Sequence, residues 1–138
     1  AIANNGVLMR PFIIRGQHPI AVRRVLSPEA AEQTVAMMIA AVKAGEKARI
    51  PHYTVAGKTG TAQVPNFTRG GYTDQVINTY VGFAPAKNPR FVILVKLDKP
   101  ADAPLAGTTV VPAFRELAEF IITYHGIPPD ALEKESPH

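Results

Sequence analysis

Four consecutive residues, Lys58-Thr59-Gly60-Thr61, carry groups suited to holding an anion. In an extended run, alternation puts Thr59 and Thr61 on one side of the pleat, so two hydroxyls two residues apart can both donate to one carboxylate. Gly60 removes a side chain where the backbone of a ligand must lie close. Lys58 adds positive potential, although strict alternation points its side chain the other way and only twist or an edge position brings it round. Two competing readings use the same residues. Gly57-Lys58-Thr59 matches the end of the phosphate-loop pattern G-x-x-x-x-G-K-[ST], but the first glycine of that pattern falls at His52. Gly60-Thr61-Ala62-Gln63-Val64-Pro65 also replaces the helix whose N-terminus would hold a phosphate. The plainer alternative makes Lys58 an exposed strand residue and the glycines marks of a bulge or of close backbone approach. Nucleophiles are scarce. The serines are Ser27 and Ser136, no Ser-x-x-Lys or Ser-x-Asn occurs, and there is no cysteine. His18, His52, His125 and His138 form no ligand spacing, so neither a triad nor a metal site is expected, and no cofactor.

The elements that must position the motif follow from periodicity. The run Tyr53 to Val64, bounded by Pro51 and Pro65, reads as a strand that leaves into a polar loop through Gly70-Gly71 and Asp74. Val76 to Ala84 and Phe91 to Leu97 read as two more strands, joined by Pro85-Ala86-Lys87-Asn88-Pro89 in a hairpin loop. The Phe91 strand is apolar at nearly every position, which predicts a central strand covered on both faces. Upstream, Pro11–Arg15 and Ile20–Leu26 form a predicted small hairpin across Gly16-Gln17-His18-Pro19. Ser27 then stands as an N-cap with Pro28 at the first helical position, and Ala31, Val35, Met38, Ile39 and Val42 recur at helical spacing until Gly45. A second helix begins near Thr108 or Thr109, with Val110, Phe114, Leu117 and Ile121 on one stripe beside Val111, Ala118 and Ile122, and Gly126 and Pro128 stop it. The fold class is α+β, a mainly antiparallel sheet with packed helices. Residues 1–126 form the folded portion and 127–138 a polar tail. Ala1-Ile2-Ala3-Asn4-Asn5-Gly6 reads as the last turn of a helix, an expectation that polypeptide precedes it.

Bulk properties exclude more than they assign. With 138 residues, the chain fits one domain or a large piece of one. The formal charge of +4 comes from scattered Lys and Arg, not from a basic arm, so no nucleic-acid partner is expected. Phe91-Val92-Ile93-Leu94-Val95 is far shorter than the roughly 20 apolar residues of a membrane helix.

Lys-Thr-Gly is the third element of a set, S-x-x-K, S-D-N and K-T-G, that marks penicillin-binding proteins and class A β-lactamases. Val55-Ala56-Gly57-Lys58-Thr59-Gly60-Thr61-Ala62-Gln63 resembles the third-motif strand of class B penicillin-binding proteins, the division and elongation transpeptidases. Three further stretches resemble that family in the right order. They are Ile2-Ala3-Asn4-Asn5-Gly6-Val7-Leu8-Met9-Arg10-Pro11, then Val81-Gly82-Phe83-Ala84-Pro85 with Asn88-Pro89, then Val111-Pro112-Ala113-Phe114-Arg115. The resemblance implies the C-terminal portion of a transpeptidase domain in which a serine attacks the D-Ala-D-Ala end of a peptidoglycan stem peptide and passes the acyl group to an amine. β-Lactams would be trapped as acyl-enzymes. It implies that Thr59 and Thr61 bind the carboxylate, that Lys58 polarises the site, and that the Thr61 N–H supplies half of the oxyanion hole. The serine and its base are expected in an upstream half of the same domain. Other implied partners are cell-wall synthesis proteins, on the extracytoplasmic side of the membrane with an anchor upstream. A non-catalytic β-lactam sensor or cell-wall assembly module of the same fold is the alternative.

Overall fold

The computed structural model describes residues 1–45, 47–101 and 105–131. Its first long helix, α1 (Pro28–Gly45), starts where Ser27 accepts a hydrogen bond from the Ala30 N–H at 3.1 Å. The capped donor is one of those a helix start leaves unpaired. The apolar stripe of α1 reaches the sheet through Val35, Met38 and Ile39, which pack on Ala56, Phe83 and Ala86.

The sheet proper has three antiparallel strands, β3 (Ala56–Pro65), β4 (Tyr72–Ala84) and β5 (Phe91–Asp98), in the order β3-β4-β5. A long hairpin joins β3 to β4, paired from Ala56↔Phe83 to Pro65↔Tyr72. At its tip the Asn66 side chain accepts from the Thr68 and Arg69 N–H groups, and Gly70 and Gly71 take φ of 76° and 72°. The expected polar loop is therefore only a tight tip, and β4 begins four residues earlier than its apolar pattern suggests.

The second helix, α2 (Val110–Tyr124), covers the opposite sheet face. Val110, Val111, Phe114, Ala118 and Ile122 are buried there, against Tyr80 and the half-buried Phe91, Ile93 and Val95. Leu117, expected on this stripe, is exposed, because the buried stripe runs through Ala118 instead.

Two further expectations need correction. The first hairpin is β1 (Val7–Arg10) with β2 (Ile20–Arg24), so Pro11–Arg15 lies in the connection and Ile13 is fully exposed. Gly6 sets this register: its carbonyl accepts the Val25 and Leu26 N–H groups, while Pro11 has no N–H to give a ladder. The Phe91 strand is not central within this chain. It is an outer strand with one face on α2, and the other leaves Val92 and Leu94 at 58% and 65% exposure. The chain after α2 is tied down through Ala131. Tyr53 Oη donates to the Ile127 carbonyl at 2.6 Å, Asp130 accepts the Thr54 N–H at 2.7 Å and also the Thr54 hydroxyl, and the Asp130 and Ala131 N–H groups reach the His52 carbonyl. The remainder of the expected polar tail, with Ser136 and His138, lies outside the described residues.

Candidate active-site strand

β3 is an outer strand, and it carries the motif with Lys58, Thr59 and Thr61 exposed and Gly60 half-buried. Directly opposed residues of an antiparallel pair share a face. Thr59 opposes Tyr80 and Thr61 opposes Asn78, so both hydroxyl-bearing residues belong to the α2 face, as alternation requires. Lys58 opposes Val81 on the other face. Its ammonium nonetheless lies at Thr59, donating to the Thr59 carbonyl at 2.9 Å and standing 3.5 Å from the Thr59 hydroxyl. The long side chain folds over the strand margin, so cation and hydroxyl meet although their Cβ atoms stand on opposite faces. In an antiparallel strand the N–H and C=O of one residue face the same margin, and residues two apart share that margin. The Thr61 N–H therefore lies on the side from which the Thr59 carbonyl meets Lys58.

The glycines beside the motif have reasons inside the sheet. A Cβ at Gly60 would lie 2.5 Å from the Thr79 hydroxyl, which donates to the Gly60 carbonyl at 3.3 Å. A Cβ at Gly57 would overlap the Tyr80 hydroxyl, and one at Gly82, directly opposite Gly57, would lie 2.6 Å from the Phe114 ring. The Tyr80 and Phe114 rings meet at 4.6 Å and 58°. Sequence reasoning missed this pair; the signal was a glycine on each of two neighbouring strands with a tyrosine two residues before the second. Burial pushes the Tyr80 hydroxyl up to about 12. Beside it a cavity of about 150 Å³ is lined by Gly57, Lys58, Thr59 and Tyr80, with α1 and Val111 completing the wall. A larger groove of about 660 Å³ opens among α1, residues 49–55 and Arg115 and touches none of the motif. The motif side is the site of interest because it joins a cation, two hydroxyls and a strand margin that is unpaired among the described residues.

Other sequence candidates stay apart. Ser27 is occupied as the α1 cap, His125 stacks edge-on against Tyr124, and no group of three potential metal ligands occurs among the described residues. Among those residues no helix is long and apolar enough to cross a membrane.

Residues 1–119 match the penicillin-binding protein transpeptidase domain family. The penicillin-binding protein PbpB of Mycobacterium tuberculosis is 38% identical over 153 aligned residues, which cover 93% of this chain and 22% of that protein. PbpB of Mycolicibacterium smegmatis is 34% identical over 92% of this chain and 23% of its own length. The crystal structure of penicillin-binding protein 3 from M. tuberculosis complexed with ampicillin is similar with a TM-score of 0.78 and 32% identity, over 99% of this chain and 34% of that one. The chain thus spans about a quarter of the length of these curated relatives. With a family match over most of its length, and relatives of this identity along nearly all of it, the chain belongs to the transpeptidase-domain family of class B penicillin-binding proteins.

Proposed function

We propose that this chain forms the substrate-binding wall of a peptidoglycan D,D-transpeptidase, with the serine nucleophile supplied by polypeptide outside residues 1–138. The observation that carries the reading is the meeting of the Lys58 ammonium with Thr59 at the margin of an outer strand. In this reading a stem peptide, or a β-lactam in its place, lies along β3 by strand addition, and its carboxylate accepts from the Thr59 and Thr61 hydroxyls. Lys58 keeps positive potential beside that carboxylate. The Thr61 N–H donates to the oxyanion that forms as the serine attacks, one of the two donors such an intermediate needs. Acyl transfer then proceeds in two steps through a covalent ester, first releasing the terminal D-alanine and then accepting an amine. Such a reaction takes place on the extracytoplasmic side of the membrane, in company with other cell-wall synthesis proteins and with an anchor outside this chain.

Labelling with a fluorescent penicillin tests the reading. The whole protein that carries this chain becomes labelled at a serine outside these residues, and the purified 138-residue chain alone stays unlabelled. Stoichiometric labelling of the isolated chain, or none of the whole protein, overturns it.

A further inference from the structure

The part of β3 that carries Lys58 and Thr59 rests on one ring. Tyr80, the direct partner of Thr59, is 3% exposed and leans diagonally across Gly57 so closely that no Cβ fits there. Phe114, fully buried, supports that ring from α2 and sits over Gly82. The two glycines are directly paired, so they make a flat trough across neighbouring strands in which both rings lie. The surroundings are less tightly filled. The cavity of about 150 Å³ borders Gly57, Lys58 and Thr59 on the same side as Tyr80. Close packing is what fixes a backbone, and a void leaves its lining without partners on one side. Beside the β3–β4 ladder, Tyr80 is therefore a close packing contact that sets the height of residues 57–59 above the core.

We propose that Tyr80, seated on Gly57, is a positioning residue for Lys58 and Thr59. It touches no substrate; it sets where the ammonium and the hydroxyl stand at the strand margin. The contact is one of packing and not of hydrogen bonding: the hydroxyl and the ring carbons behind it both crowd Gly57, and the hydroxyl is buried with no hydrogen-bond partner among the described residues. Gly57, immediately before the Lys-Thr-Gly triplet, is on this account a seat for an aromatic ring and not a point of ligand approach. The proposal rests on the transpeptidase reading for its catalytic consequence, but its structural core stands apart from it.

The test uses the whole protein that carries this chain, with four measurements on each variant: acylation rate by a β-lactam, fraction of molecules finally labelled, thermal unfolding, and amide hydrogen exchange over residues 56–62. A displacement of order 1 Å in a positioned group costs about a hundredfold in rate. Gly57→Ala, which drives the ring away, is expected to slow acylation by about ten- to a hundredfold while the labelled fraction of folded protein stays complete. Tyr80→Leu slows it about tenfold and speeds exchange over 56–62. Tyr80→Phe keeps the wild-type rate and exchange. The double variant Gly57→Ala/Tyr80→Leu is faster than Gly57→Ala alone, since the overlapping ring is gone. Folded Gly57→Ala and Tyr80→Leu proteins with wild-type rates overturn the proposal, as does a loss confined to the folded fraction, which marks a stability role alone. If the wild type takes no label, exchange decides: acceleration in Tyr80→Leu but not in Tyr80→Phe upholds the positioning role while the transpeptidase reading falls, and unchanged exchange overturns both.

Discussion

Under the proposed function, Thr59 and Thr61 are the residues on which recognition of a carboxylate turns. A hydrogen bond to a charged group contributes about 1.5–3 kcal/mol, so Thr59→Val and Thr61→Val in the whole protein should each lower the acylation rate constant by roughly ten- to a hundredfold. Valine keeps the volume and the β-branch, so thermal unfolding should move little; equal acylation rates for wild type and both variants would place β3 away from the ligand. Tyr80 has a separate signature in stability. Its hydroxyl ionises at about 12 in the fold against 10.0 ordinarily, because burial disfavours the charged form. The unfolded chain thus loses this proton first as the pH rises. The Tyr80 contribution to stability is intact below pH 10, and it falls away as the pH climbs towards 12. Tyr80→Phe removes that decline. It also relieves a buried hydroxyl that has no hydrogen-bond partner among the described residues, a gain of about 1 kcal/mol at neutral pH. Urea unfolding at pH 7 and in the alkaline range checks both expectations, and a variant less stable than wild type at pH 7 would show that the hydroxyl has a partner after all.

Among the elements, the helices and the strands differ in how well their ends could be read. The start of α1 was legible because Ser27-Pro28 is a local signal whose cap bond closes within three residues. The first hairpin was misplaced because Phe12, Ile13 and Ile14 have strand-forming side chains, whereas register depends on Gly6 accepting from residues 25 and 26. Nothing near residue 12 records that long-range bond. The segment after α2 repeats the lesson: Asp130 looks like a surface residue, yet it binds both the N–H and the hydroxyl of Thr54, just before β3. Asp130→Ala is expected to leave that backbone donor short of a partner and to cost about 1–3 kcal/mol, with hydrogen exchange at Thr54 rising first. Unaltered exchange there would mean that the tether does not hold β3's entry.

At the scale of the whole molecule, α1 and α2 lie on opposite faces of a three-stranded sheet. Helix α1 packs on its own face only around Ala56, Phe83 and Ala86, while its last turns pass the β3 margin and bring Val42 into the core cluster of Tyr80 and Phe114. Val92 and Leu94 stand on the face beyond its reach, and both outer strands carry unpaired margins among the described residues. Exposed apolar surface beside an open strand margin favours association. The isolated 138-residue chain is therefore expected to self-associate at micromolar concentration, and Val92→Lys with Leu94→Lys should shift it towards monomer in sedimentation velocity. A wild-type chain that sediments as a monomer throughout would refute this.

The amino-acid sequence by itself determined the order of elements, the α1 cap, the apolar stripe of α2 and the alternation that sets Thr59 and Thr61 together, since each is written in neighbours no more than a few residues apart. It also carried the family, through residues matched at spaced positions along the chain. Tertiary structure alone decided which strand margin is open, that Lys58 curls back to Thr59 despite its opposite Cβ, and that Gly57 seats the ring of Tyr80. The open margin and the Tyr80 seat depend on strand order and on residues more than 20 positions apart, and the Lys58 bend is a side-chain rotamer between neighbours; local periodicity encodes none of these.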